Sequence, residues 1–148
     1  MEALKKENYK ITVRPHPQHV RHQPEKMEQL KARFAENENI EIQTDFSSNS
    51  TVFEADMMIT DWSGIAYEYA YTTNKPVLFV DTPLKVMNEE YGKIGVEPIN
   101  IWMREKIGTV IKPEHINNAA EAVRQMFGCE QDYHQRIEAF VREYVYNL

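Results

Sequence analysis

The chain has 148 residues, a length that predicts one domain, and its formal net charge of −6 argues against nucleic acid as a partner, because neutralising phosphates takes an excess of Lys and Arg. A hydrophobic fraction of 42% excludes a fully disordered chain. One cysteine, Cys129, excludes an internal disulfide; with no apolar run near the roughly 20 residues of a membrane span and no opening signal peptide, the expectation is a soluble, acidic domain of the cytoplasm.

From the amino terminus, residues 9–13 (Tyr-Lys-Ile-Thr-Val) alternate apolar and polar side chains and predict a short strand that ends at Arg14-Pro15. Pro15 and Pro17 hold the residues before them extended, so 14–17 reads as a stiff, non-helical segment. Pro24 at a first helical position, with Met27, Leu30 and Phe34 at helical spacing, predicts a helix near 24–36. Ile40-Glu41-Ile42 is a second short strand, and 45–50 is a polar loop with several helix-capping residues. Residues 51–55 predict one or two helical turns, and 57–60 a buried strand. A helix over 62–73 and a continuous apolar strand over 76–80 complete the βαβ unit of a parallel sheet. A short helix is expected near 84–91, then an irregular stretch with Gly92, Gly95 and Pro98. Residues 107–111 predict the last strand, 113–127 a helix stopped by Gly128, and 132–146 a final helix with Ile137, Phe140, Val141 and Tyr144 on one face. The resulting fold class is α/β: a single Rossmann-like, three-layer domain over residues 1–148, with helices on both faces of a mainly parallel sheet.

Two places gather residues that could carry chemistry. Arg14-Pro15-His16-Pro17 stands at the carboxyl end of a predicted strand, where open parallel sheets bind ligands. With Lys10, His19, Arg21 and His22 it forms the locally cationic stretch of an acidic chain. It is either an anion site, with His16 donating hydrogen bonds or a proton, or a surface turn of solvated charges. His16, His19 and His22 recur at every third residue, which would suggest a metal only on a helix. The prolines oppose a helix and no Cys or Glu-x-x-His pattern joins them, so no metal and no cofactor is expected.

Asp61-Trp62-Ser63-Gly64 lies between a strand ending at Thr60 and the next helix. A small-residue turn there offers backbone N–H groups and the positive end of the helix dipole to a phosphate. Ser63 adds a hydroxyl, and Gly64 lets a ligand approach the backbone. The alternative is that Asp61 or Ser63 simply caps the helix. Neither Gly-x-x-x-x-Gly-Lys nor Gly-x-Gly-x-x-Gly is present. Glu68, about one and a half turns into the helix, either reaches a ribose hydroxyl or is a solvated carboxylate. Cys129 reads as a buried or idle thiol.

Taken in order, Arg14-Pro15-His16-Pro17, the segment 54–69 (Glu-Ala-Asp-Met-Met-Ile-Thr-Asp-Trp-Ser-Gly-Ile-Ala-Tyr-Glu-Tyr) and Lys75-Pro76-Val77-Leu78-Phe79 resemble the carboxy-terminal half of the CDP-glycerol glycerophosphotransferases, the teichoic-acid primases and polymerases. That family shows Arg-x-His-Pro, Ala-Asp-x-x-Ile-(Ser/Thr)-Asp-Tyr-Ser-Ser, and Lys/Arg-Pro before an apolar strand. The resemblance covers roughly residues 9–127 and implies a GT-B architecture: two Rossmann-like domains with the active site in the cleft. This chain would be the donor-binding half, and an N-terminal acceptor domain the other. The implied donor is CDP-glycerol or a related nucleotide diphosphate, whose glycerol phosphate passes to an acceptor hydroxyl as CMP departs.

Carried over by position, Arg14 and His16 would contact the donor's diphosphate, His16 also as an acid. Thr60, Asp61, Ser63 and Gly64 would form the phosphate site at the helix start, and Glu68 would hold the ribose. Trp62 stands where the family has Tyr, and Gly64 where it has a second Ser, which removes one hydroxyl donor. Two Rossmann-like units of roughly 150 residues each would be needed, so the expectation is a half-enzyme that binds nucleotide weakly and turns nothing over alone. Peripheral attachment at the cytoplasmic membrane face is usual in the family, but the final helix, where Glu138 and Glu143 offset Arg136 and Arg142, lacks the basic face that anionic lipid rewards. Two other readings stand beside this one: another GT-B enzyme, such as a sugar-nucleotide glycosyltransferase or a UDP-sugar 2-epimerase, and a non-catalytic α/β interaction domain in which both motifs are structural.

Overall fold

Short parallel strands separated by helices recur along the whole chain, as the sequence predicts, but they pair into two sheets and not one. The computed structural model describes residues 1–84 and 90–146. The chain divides into two compact units, Met1–Thr51 and Val52–Leu148.

In the first unit, β1 (Ile11–Val13) pairs with β2 (Ile40–Ile42) in parallel, Ile11 opposite Ile40 and Val13 opposite Ile42. Between them α1 (Pro17–His22) and α2 (Pro24–Phe34) supply the crossover that a parallel pair requires. Leu4, Phe34 and Ile40 are the buried apolar residues of this unit. Residues 14–16 are non-helical as expected, but α1 overturns the expectation that the prolines oppose a helix through His19 and His22. His16 is its N-cap, in extended backbone, and Pro17 takes a first helical position, where its missing N–H leaves no bond unmade. The prolines start the helix. Among the described residues, no three His, Cys, Asp or Glu side chains converge as a metal set.

α3 (Ser50–Glu54) leads into the second unit, whose three parallel strands run in the order β3 (Met58–Thr60), β4 (Val77–Val80) and β5 (Gly108–Ile111). Thr60 lies opposite Phe79 and Val80 opposite Ile111, so the three strands end along one edge. The central β4 is buried completely at Val77, Leu78 and Phe79, in keeping with its unbroken apolar run. The outer β3 was expected to be equally buried, yet Ile59 is 41% exposed, because an edge strand has a neighbour on one side only. α4 (Ile65–Thr73) joins β3 to β4 and closes on Asn74, left-handed at φ 58°, whose N–H bonds the Ala70 carbonyl.

Two short helices, α5 (Ile99–Trp102) and α6 (Arg104–Ile107), precede β5 in a region where the sequence predicts no regular structure. Gly108 follows at once, and a Cβ there would lie 1.8 Å from the Val77 carbonyl oxygen, so only glycine lets β5 approach β4. The helix expected near 84–91 falls mainly on residues outside the described ones; residues Tyr91–Ile94 form a 3-10 turn. After β5, residues Pro113–Asn118 are 3-10 and α7 (Ala119–Gly128) ends on Gly128, one residue later than predicted. α8 (Glu130–Phe140) runs into a π-helical turn, Val141–Val145. Tyr69, Phe79, Ile107, Ile137 and Phe140 centre the core, each such side chain contributing about 1.5–3 kcal/mol on burial. Cys129 is exposed. Among the described residues, no helix is long and apolar enough to cross a membrane.

Candidate functional site

The turn from β3 into α4 is built by Asp61-Trp62-Ser63-Gly64. The sequence puts the helix start at Trp62; it starts at Ile65, and Gly64 is the N-cap at φ −62°, ψ −28°. No side chain caps it, so the reading of Asp61 or Ser63 as a mere cap does not hold. The N–H groups of Ala66 and Tyr67 bond the carbonyls of Ser63 and Gly64, while those of Ser63, Gly64 and Ile65 have no acceptor among the described residues. A Cβ built on Gly64 would meet nothing within 4 Å, so the approach to these N–H groups is open. Ser63 is half-buried, and Asp61, Gly64 and Glu68 are exposed. Thr60, half-buried, closes β3 immediately before the turn. Unpaired N–H groups at the positive end of a nine-residue helix are the elements of a phosphate site.

A cation that the sequence reading missed stands beside this turn. Arg104 looks like part of a solvated run, Arg-Glu-Lys, but it is only 6% exposed, while Glu105 and Lys106 face solvent. Its Nη2 donates to Asp81 Oδ1 at 2.8 Å, and its Cζ lies 3.6 Å from the centroid of the Trp62 ring. Nε and Nη1, both buried, have no hydrogen-bond partner among the described residues. Trp62 is itself tethered, its Nε1 donating to the Thr82 carbonyl at 2.6 Å. The only signal in the sequence is position: Arg104 sits between Met103 and Ile107, both buried, so a helix there must turn at least one charged neighbour inward.

The tyrosines of α4 serve the core. Tyr69 donates to the Ala55 carbonyl at 3.0 Å, Tyr67 to the Asn100 carbonyl at 3.2 Å, and Tyr71 reaches Met103 Sδ at 3.7 Å. Burial pushes the Tyr67 hydroxyl pKa up, and the positive charge of Arg104 pulls it part of the way back. Lys75, just before β4, bonds the Ala55 carbonyl and Asp56 Oδ1 and so ties the start of β4 to the start of β3.

In the first unit, His16 is exposed and its Nδ1 accepts the Gln18 N–H at 3.2 Å. That bond requires a bare Nδ1, so a neutral imidazole carries its proton on Nε2, the outer nitrogen, as a ready donor. Arg14 is differently employed. Its Nη1 donates to Thr51 Oγ1 at 3.4 Å, its Nη2 to the Ser48 carbonyl at 3.0 Å and Asn49 Oδ1 at 3.2 Å, and its Cζ stands 5.6 Å from the Phe46 centroid. The guanidinium thereby latches the 46–51 loop. A surface depression of about 590 Å³ against α8, lined by Cys129, Asp132 and Arg136 among others, contains none of the candidate residues.

The family model for the CDP-glycerol:poly(glycerophosphate) glycerophosphotransferases matches residues 1–147. The minor teichoic acid biosynthesis protein GgaB of Bacillus subtilis (strain 168) is 35% identical over 80 residues, 53% of this chain but 8% of GgaB, so the likeness covers a small part of that relative's length. No solved structure matches.

Proposed function

The chain belongs to the CDP-glycerol:poly(glycerophosphate) glycerophosphotransferase family, and from that premise we propose that it binds a nucleotide-diphosphate donor, CDP-glycerol, for transfer of glycerol phosphate to an acceptor hydroxyl. GgaB, named for teichoic acid biosynthesis, supports a teichoic-acid-type polymer as the product. The same reading makes this chain the donor-binding half of a GT-B arrangement, working in the cytoplasm or on the cytoplasmic membrane face.

The observation that carries the proposal is the uncapped start of α4, with three N–H groups lacking acceptors and open space in front of Gly64. In the reaction, the acceptor hydroxyl passes its proton to a general base, which the N-terminal acceptor domain would supply, as its oxygen bonds to the phosphorus that carries glycerol. The bond from that phosphorus to the bridging oxygen breaks, and CMP leaves with the electron pair. Negative charge grows on the departing phosphate, and N–H groups already in place stabilise it without reorganising. Ser63 adds its hydroxyl, Thr60 and Asp61 set the path of the turn, and Glu68 accepts from a ribose hydroxyl. For His16 the role is a hydrogen bond from Nε2 to a phosphate oxygen of the donor; to act as an acid it would first take up a proton on Nδ1 and give up the Gln18 bond. Arg14 serves by holding the segment that carries His16.

Titration of the chain with CDP-glycerol, CMP, UDP and a UDP-sugar tests this. CDP-glycerol binds best, Ser63→Ala and His16→Ala each weaken it, and the chain alone turns nothing over. A preference for the UDP-sugar moves the reading to a glycosyltransferase or an epimerase. Affinity unchanged in both variants, or no nucleotide binding at all, favours a non-catalytic interaction domain.

A further inference from the structure

Arg104 presents a problem of its own. A guanidinium carries five N–H donors and a permanent charge, and taking it out of water is costly unless those donors are met. Here one nitrogen bonds a carboxylate that is itself 39% exposed, one face stacks on Trp62, and the buried Nε and Nη1 bond nothing among the described residues. Buried donors left unmet are rare in folded chains and mark a missing partner. An Arg is an expensive way to fill this space when Met103 and Ile107 fill the same helix with apolar groups.

We propose that Arg104 is a phosphate-binding residue of the β3–α4 turn, covered by Trp62 until a phosphoryl group arrives. Nε and Nη1 lie on different edges of the planar guanidinium, and each shares its edge with Nη2, so a phosphoryl group that meets either one can bridge to the Nη2 that Asp81 holds. The location agrees. Trp62 belongs to the turn whose N–H groups stand open, and Asp81 directly follows β4, so Arg104 serves the carboxyl edge of a parallel sheet, where ligands bind. Trp62 acts as the cover: its ring lies on the guanidinium, and one hydrogen bond to the Thr82 carbonyl holds it there. An entering phosphoryl group takes up Nε or Nη1 as the indole leaves Thr82.

The inference rests on reading the turn as a phosphate site, and the test separates the two. Trp62 and Trp102 give two indole N–H signals in a ¹⁵N-resolved proton spectrum, assigned by Trp62→Phe. The chain is titrated with CDP and, separately, with inorganic pyrophosphate. Both ligands move the Trp62 indole signal, Arg104→Met weakens both by roughly 10- to 100-fold and abolishes the movement, and Arg104→Lys recovers part of it. Asp81→Asn, which frees the guanidinium of its one carboxylate, tightens pyrophosphate by about two- to fivefold. If CDP shifts the Ser63 and Gly64 amides while Trp62 stays still and Arg104→Met binds normally, Arg104 is not a ligand and the nucleotide reading survives. If pyrophosphate moves Trp62 but CDP binds no better than pyrophosphate, the nucleotide reading falls and Arg104 stands. If neither ligand moves Trp62, a buried water satisfies Arg104 and the proposal is wrong. Should Arg104→Met fail to fold, unchanged affinity in both Arg104→Lys and Asp81→Asn overturns it equally.

Discussion

Arg14 follows β1, and Arg104 pairs with the residue that follows β4, so each guanidinium serves the carboxyl end of a parallel strand, but their donors are disposed in opposite ways. Arg14 bonds three oxygens of the 48–51 segment, all of them uncharged, and among the described residues no carboxylate pairs with it directly. Arg104 has its charge opposed by Asp81 but keeps Nε and Nη1 unmet among the described residues. The first region therefore offers a field and the second offers bonds. A cluster of basic residues says where an anion is attracted; unmatched donors say where it can be held.

The largest test acts on the scaffold of the second region. Gly108→Ala puts a methyl where the Val77 carbonyl already lies, and with no space to relax into, the β4–β5 pairing that positions Asp81 is lost. We expect about 3 kcal/mol or more of lost stability, seen as a lower urea midpoint. A loss below about 1 kcal/mol would mean that β5 slides to accommodate the methyl, and that the register is not what positions Asp81. Next comes the direct comparison. Arg14→Met removes a latch and costs about 1–2 kcal/mol, with nucleotide affinity falling less than about threefold. Arg104→Met does the reverse, and its affinity loss is the larger by at least about tenfold. If Arg14→Met costs more affinity than Arg104→Met, the contrast between field and bonds collapses.

Much of this was legible in the sequence, and what was not has physical reasons. β4 announced itself because a strand buried on both faces has no polar position to blur the pattern. The residues of the β3–α4 turn were legible because Ser-Gly after a strand has few uses, but its openness was not: whether Asp61 or Ser63 caps the helix depends on where the first turn closes, and Gly64 closes it. α1 is hidden in the sequence because Pro15 and Pro17 speak for extended backbone at 14–16, while Pro17 itself fits the first position of a helix. α5 and α6, four residues each, are too short to show a period. Arg104 was invisible because burial of a charge is a tertiary fact, decided here by Trp62, Phe79 and Asp81, none of them its neighbours in sequence.

A smaller effect sharpens the role of the turn itself. Gly64 has φ −62°, which any residue adopts, and a Cβ there touches nothing, so Gly64→Ala leaves stability within about 0.5 kcal/mol of the wild type. The added methyl occupies the space from which a ligand must reach the N–H groups of Ser63, Gly64 and Ile65, so CDP affinity falls by roughly tenfold. Calorimetric titration beside a thermal melt separates the two quantities. An unchanged affinity means that the ligand does not approach the backbone at Gly64.

The two regions also differ in which end of the pH scale loosens them. Burial pushes the Tyr71 hydroxyl of α4 from 10.0 up to about 12. The folded chain thus holds that proton more tightly than the unfolded one, and the associated stability is complete below about pH 10 and lost as pH rises towards 12. Tyr71→Phe has no proton to lose, so the fall of the urea midpoint between pH 10 and 12 becomes shallower. If it does not, the loss belongs to Tyr69, whose pKa burial also raises. In the first unit the sign reverses. The N–H and hydroxyl of Ser47 hold the Asp45 carboxylate below its usual 3.8, so its contribution is present above that value and vanishes as pH falls through the lowered one. Asp45 is fully exposed, where solvent and salt screen its bonds, so Asp45→Asn changes the acid limb less than Tyr71→Phe changes the alkaline one. A larger acid effect would show that the loop latched by Arg14 depends on Asp45 as well, since the Arg14 charge also lowers the Asp45 pKa and losing one would then weaken the hold of the other.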